Sequence, residues 1–245
     1  MSKSKFLFLG VFFLVSALCL PLAAAPAGKN NQRQARADIP KDTEDQYERA
    51  QEAAEVLGEL TQTPDKSIPR ELLENAQGIA VFPRVIKAAF GIGGRWGKGL
   101  ISVRQGSSWG TPVFVEITGG SFGFQIGGQA TDLVLVFTSR KGVDSLMKSK
   151  VKLGGDASVA AGPVGRTAEA GTDVGLRAEI YSYSRSKGLF AGVALDGAVV
   201  SFDNSANSKV YGMEGKEVLA GRGATSPVTQ AFLAALRQHS PRSTQ

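Results

Sequence analysis

The feature that most constrains this chain is where its glycines stand. Residues 88 to 99 read AAFGIGGRWGKG and residues 119 to 128 read GGSFGFQIGG, two stretches in which glycine alternates with bulky or charged residues. The chain holds 30 glycines among 245 residues, about 12%, against a usual level of roughly 7%. A helix bears such a load poorly, because each interior glycine costs it about 1 kcal/mol relative to alanine. In an extended chain the alternation sorts residues onto two faces. Phe90, Ile92, Gly94, Trp96 and Lys98 then share one face, with Gly91, Gly93, Arg95, Gly97 and Gly99 on the other. In the second stretch Phe122, Phe124 and Ile126 oppose Gly119, Ser121, Gly123 and Gln125. A glycine-faced strand lets another backbone approach closely or lets a sheet coil tightly.

A phosphate-cradling loop is the competing reading, and its known spacings fail. GxGxxG from Gly91 requires glycine where Trp96 stands; GxxxxGK[ST] ending at Lys98 requires glycine at Ile92 and Ser or Thr at Gly99.

The rest of the chain reads as α+β. Tyr47, Ala50, Ala54, Leu57 and Leu60 recur at helical intervals, and Thr43 stands three residues before Gln46 in capping-box spacing, so an amphipathic helix is expected over about 43 to 60. Its polar face carries Glu44, Glu48, Glu52, Glu55 and Glu59. A second short helix, RELLENA, follows Pro69 and ends at Gly78. Strand signals then dominate: IAVF closed by Pro83, LISVR (100 to 104), PVFVEIT (112 to 118), LVLVF (133 to 137), LRAEIYSYS (176 to 184), LFAGVAL (189 to 195) and AVVSFD (198 to 203). Residues 139 to 149 read as an inserted helix, and Ser226-Pro227 opens a last amphipathic helix with Val228, Phe232 and Leu236 on one side. The expected architecture is a single Gly-rich, mainly antiparallel β domain, sandwich or barrel-like, over residues 43 to 240, flanked by N- and C-terminal helices.

The N-terminus has Lys3 and Lys5, an uncharged apolar run from Phe6 to Leu20 and small residues to Ala27, the order of a secretory signal peptide over residues 1 to 27. An uncleaved anchor or a lipoprotein through Cys19 is the alternative, although Leu18 precedes that cysteine where a lipobox wants a small residue. A polar linker, residues 28 to 42, follows. Cys19 is the only cysteine, so no disulfide is expected in the mature chain. His239 is the only histidine and reads as a solvated tail residue. Triads, cysteine dyads and His-ligated metals each lack a required residue, and Asp132, Asp156, Asp173 and Asp196 show no spacing that pairs carboxylates. No catalytic, cofactor or metal site is expected.

Charge is divided along the chain. Residues 38 to 74 carry 11 acids and 4 bases, a net of −7, whereas residues 75 to 245 carry 11 acids and 19 bases, a net of +8. Between Glu74 and Glu116 no carboxylate occurs, while Arg84, Lys87, Arg95, Lys98 and Arg104 do. A second basic cluster comprises Arg140, Lys141, Lys148, Lys150 and Lys152. Such asymmetry suits an anionic partner. No recognition motif for nucleic acid accompanies it.

SRSKGLFAGVALDG (184 to 197), with NAQGIAVFPRVIKAAFGIGGRWGKGL (75 to 100), GGSFGFQIGGQATDLVLVF (119 to 137) and VKLGGDASVAAGPVGRTAEAG (151 to 171) in order, resembles the SYLF domain family, also called the Ysc84-type actin-binding or DUF500 family. The resemblance spans about Tyr47 to Tyr211. It implies a non-enzymatic module that binds phosphoinositide or other anionic lipid membranes; fungal and animal members also bind actin and carry an SH3 domain. This chain departs in its signal peptide, its lack of an SH3 domain and its strongly acidic leading helix, so it resembles exported bacterial members. Export makes actin an unexpected partner. The expectation is a periplasmic or secreted lipid-binding protein that docks through Arg84, Lys87, Arg95, Lys98 and Arg104, with Trp96 as core residue or interfacial anchor. The alternative is a structural envelope protein acting by self-association or by binding a partner protein.

Overall fold

A computed structural model describes residues 36, 39–60, 68–90, 92–122, 127–164, 178–186 and 189–242. The expected signal peptide, Cys19, most of the expected linker, Gly91 and Asp173 lie outside the described residues. From Asp38 onward the chain forms one unit.

A single 3-10 turn, Lys41–Thr43, leads into α1 (Glu44–Leu60), and α2 (Arg70–Asn75) follows. Thr43 does not cap α1 as its spacing suggests. It lies inside the 3-10 turn, and its hydroxyl donates back to Pro40 O at 2.9 Å. Four long strands follow, β1 (Gly78–Phe90), β2 (Ile92–Gln105), β4 (Val113–Phe122) and β5 (Gly127–Phe137), with the two-residue β3 (Ser108–Trp109) on the end of β2; β1 and β2 form a hairpin, β4 pairs with β2 and β5 with β1, so that β4 and β5 flank it. Next come α3 (Arg140–Leu146), β6 (Lys150–Lys152), β7 (Val159–Ala161), β8 (Ile180–Ser186), β9 (Leu189–Gly192) and β10 (Val199–Phe202). Helix α4 (Asn204–Tyr211), the one-turn α5 (Gly215–Glu217) and α6 (Gln230–His239) complete the chain.

The strands make one curled half-barrel in the order β6, β10, β4, β2, β1, β5, β8, β7, with β9 paired to β8. All pairings are antiparallel except β7 with β8. The chain is therefore α+β and barrel-like, as its sequence predicts.

Each face of the sheet buries its own core. The outer face sets Ile79, Val81, Leu100, Phe114, Val134 and Tyr183 against Ala50, Ala53 and Leu57 of α1 and Phe232 and Leu236 of α6. The inner face closes on Phe82, Val85, Ile101, Val115, Ile117, Leu135 and Phe137, with α3 and Val151 beside them. Of the predicted apolar stripe of α1, Tyr47, Ala50 and Leu57 are core and Ala54 packs partly buried against it, while the side chain of Leu60 lies outside the described residues.

Pro83 does not close β1. It sits in a bulge where β1 changes register with both neighbours, between Val81 and Ile86 against β2 and between Phe82 and Val85 against β5. A bulge leaves one residue without ladder partners, so proline's missing N–H costs nothing there. Arg84 takes a left-handed φ of 53°, and its N–H donates to Asp132 Oδ1 at 3.0 Å in place of the ladder.

The bulge explains the glycines of β2. A Cβ on Gly97 would lie 2.7 Å from Val85 Cγ2, and one on Gly99 would lie 2.1 Å from Val81 O and 2.9 Å from Phe82 Cα. The buckled backbone of β1 presses onto the face that carries no side chain, the close approach the alternation implies.

Two expectations at chain ends change. Gly78 opens β1 instead of stopping α2. His239 is not a solvated tail residue: it occupies the last turn of α6, where a Cβ on Gly58 would lie 3.6 Å from its Nε2, and burial lowers its pKa from the ordinary value.

Candidate functional site

The six residues expected at a docking surface divide by which face of the sheet they occupy and by whether their charge is matched. Strand alternation puts Trp96, Lys98 and Arg104 on the outer face of β2 and Arg95 on the inner face. The bulge returns Ile86 to the outer face, directly opposite Trp96, and Lys87 to the inner face, directly opposite Arg95.

Trp96 and Ile86 are the large hydrophobic residues left exposed among the described residues, at 47% and 50% of their surface. They are cross-strand partners and therefore form one apolar step on the outer face. β1 and β2 meet at this end of the sheet, where Phe90 pairs with Ile92, and β4 reaches the same end, where Ile92 pairs with Phe122. The sequence here, AAFGIG (88 to 93) and GGSFGFQIG (119 to 127), carries no charge.

A groove of about 520 Å³ runs beside the step, between α1 and the sheet. Asp45, Glu48 and Glu52 of α1 form one wall; Arg84, Trp96 and Lys98 form the other. The wall charges are largely matched. Arg84 Nη2 meets Glu52 Oε1 at 2.5 Å, and Lys98 Nζ lies 3.0 Å from Asp203 Oδ2 and 6.0 Å from the Trp96 ring centroid.

Asp203 holds this end of the groove together, although no sequence pattern above singled it out. It is only 5% exposed, caps α4 by accepting from Ala206 N at 3.1 Å, and takes Arg49 Nη1 of α1 at 3.2 Å on the same oxygen that meets Lys98. Burial pushes its carboxyl up, but the bond from Lys98, the Ala206 N–H and the charges of Lys98 and Arg49 outweigh it and hold the pKa below the ordinary value. An N-cap signal was present: Asp203 precedes NSANSKVY and Gly212, a left-handed glycine at φ 68°. A neighbouring cluster joins Arg185 to Asp132 at 2.8 Å and to Glu59 of α1. Glu52 and Glu59 of the acidic face of α1 thus meet cations of the sheet.

Arg104 does not belong to a docking surface. It is 4% exposed, its Nη2 donates to Ser240 O at 2.6 Å, its Nε to Ala76 O at 3.3 Å, and its guanidinium stacks 4.1 Å from the Trp109 ring centroid. The sequence reads as exposed because a basic residue usually is; here carbonyls of three separate segments, Ala76, Ser107 and Ser240, satisfy its donors. In the second basic cluster Lys141 pairs with Glu179 at 2.7 Å, and Arg140 donates to Arg104 O at 3.0 Å.

Lys87 and Arg95 differ from all of these. Both are half-buried, and Arg95 Nε and Nη1 are buried without a hydrogen-bond partner. Burial lowers the pKa of each, and the neighbouring Arg95 charge lowers that of Lys87 further.

Among the described residues no helix is long and apolar enough to cross a membrane, and no group of three potential ligands gathers as a metal site.

Residues 118–239 match the family model described as Ysc84, Las17-binding protein actin regulator. An SH3 domain-containing protein of Schizosaccharomyces pombe is 41% identical over 161 residues, 63% of this chain and 37% of that protein. SH3 domain-containing YSC84-like protein 1 of Xenopus laevis is 37% identical over 172 residues, 67% of this chain and 51% of that protein. LAS seventeen-binding protein 3 of Saccharomyces cerevisiae is 37% identical over 164 residues, 64% and 36% of the two chains. The chain spans about half or less of the length of these relatives. They are eukaryotic, and their names give no support to setting an actin-system partner aside.

Proposed function

The chain carries a domain of the Ysc84 family, and from that premise we propose that it works by binding, as a peripheral module that seats the Trp96 end of its sheet on an anionic lipid surface. The observation that carries this reading is the exposed pair of Trp96 and Ile86 at an uncharged hairpin end, with the unmatched cations Lys87 and Arg95 on the reverse face of the same two strands. A tryptophan is at home where an apolar body meets a wet boundary. Basic residues near an anionic surface contribute about 1 kcal/mol each. Arg84 and Lys98 enter the surface with their charge largely spent on Glu52 and Asp203, so Lys87 and Arg95 supply the attraction. Export, directed by residues 1 to 27, belongs to the same reading and rests on the N-terminal sequence alone.

Vesicle co-sedimentation tests it. Binding to anionic vesicles should exceed binding to neutral ones, weaken as salt rises, and fall about tenfold or more in a Trp96→Ala, Ile86→Ala double variant. Equal binding to both vesicle types, or a double variant that binds as well as the parent, would refute it.

The groove favours a second reading. Its mixed acidic and basic walls suit a protein surface better than a membrane, and one relative is named for binding a protein. A partner protein, or a second copy of this chain, would then fill it. Charge reversal at Glu48 that abolishes association while leaving vesicle binding intact distinguishes this case.

A further inference from the structure

The inner face of the sheet carries a rung of four residues across four strands: Gln129 on β5, Lys87 on β1, Arg95 on β2 and Gly119 on β4. It is the next rung beyond Val85, Gly97 and Ile117, the last apolar residues of the inner core at this end. Two cations therefore stand side by side at the margin of an apolar interior. Like charges directly opposite in an antiparallel pair destabilise it, and a buried charge without a partner is costly. Among the described residues no ion pair or hydrogen bond offsets either: Arg95 leaves two buried donors unused, and no carboxylate occupies β1, β2 or the positions of β4 and β5 on this rung. On the β4 side a Cβ on Gly119 would lie 3.0 Å from Ala198 Cα and 3.6 Å from Arg95 Cγ, so the missing side chain lets Ala198 and the stem of the arginine pack close to the strand.

We propose that Lys87 and Arg95 form a site for one oxyanion of the phosphate class, held between the lysine ammonium and the Nε and Nη1 donors of Arg95. A guanidinium edge presents two parallel N–H groups that match two phosphate oxygens, and an ammonium beside it supplies a point charge. The anion removes the cross-strand repulsion and satisfies the orphaned donors together. This inference names the ligand chemistry of the charged half of the docking end proposed above, yet it stands on the inner face and does not need Trp96 or Ile86.

Thermal unfolding in inorganic phosphate tests it. The parent chain should show a saturable rise in Tm that chloride at matched ionic strength does not reproduce. Arg95→Gln and Lys87→Gln should each weaken phosphate binding about tenfold or more. Without phosphate both variants should be as stable as the parent or more so, because each removes an uncompensated charge; a purely structural arginine would instead lose stability on substitution. The Trp96→Ala, Ile86→Ala variant should keep its phosphate response, which separates failure of the site from failure of membrane docking. Vesicles carrying a phosphomonoester lipid identify the source: displacement by soluble phosphate points to a headgroup, and a saturable Tm response without vesicle binding points to free phosphate. No saturable response, or a response unchanged in Arg95→Gln, overturns the proposal.

Discussion

Gly99 and Asp203 show how single residues decide this fold, and they were unequally legible. Gly99 was readable from the alternation in GGRWGKG, because a strand with side chains on one face invites backbone on the other. Alanine there would drive its Cβ to 2.1 Å from Val81 O, backbone that cannot swing aside. Gly99→Ala should therefore cost at least about 3 kcal/mol or prevent folding, whereas Gly120→Ala, with nothing within 4 Å, should change stability by no more than about 1 kcal/mol. Urea unfolding of the two variants compares them directly. Asp203 reads in sequence only as the end of a strand, since its partners Arg49 and Lys98 lie more than a hundred residues upstream. Asp203→Asn leaves two cations without their shared carboxylate and should cost about 2–4 kcal/mol. Because the native pKa is depressed, the carboxylate stabilises the fold above its unfolded value, near pH 4, and that contribution is lost as pH falls through the native value. Acid titration should accordingly show a parent that weakens below about pH 4 and an Asp203→Asn variant that is already weaker at neutral pH.

Among the elements, α1 was the most legible, because its stripe repeats every three or four residues without interruption. The structure buries Ala50, Ala53 and Leu57 completely and sets Glu52 and Glu59 against Arg84 and Arg185 of the sheet. Leu57→Ala should cost about 2–5 kcal/mol, measured by chemical denaturation, since the site lies between α1 and a sheet that cannot collapse into the gap. The β1 bulge was not legible. Proline within a strand pattern usually signals its end, and only the register with two neighbours reveals that the strand resumes four residues on. That resumption returns Ile86 to Trp96 and Lys87 to Arg95, so the element whose irregularity escaped sequence reading is the one that assembles the candidate site. Helix α4 was missed for a simpler reason: NSANSKVY is largely polar and shows little apolar periodicity.

For the whole molecule, strand order matters more than strand content. The family model covers residues 118–239, yet β1 and β2 occupy the middle of the sheet between β4 and β5. A fragment of 118–239 would present two unpaired inner edges and lose Ile79, Val81, Leu100 and the whole of α1 from the outer core. It should fail to fold, while residues 38–245 should unfold cooperatively; circular dichroism and a thermal melt of the two chains would show it. Sequence alone determined the class of the fold, the glycine face of β2 and the helices at both ends, because each follows from local period or residue type. Tertiary structure decided which of the basic residues keep an unmatched charge. Arg104 vanished into carbonyls of distant segments, Arg84 and Lys98 met carboxylates of other elements, and Lys87 and Arg95 were left facing each other. Pairing of charge depends on contacts between residues far apart in the chain, and only the folded sheet brings those contacts about.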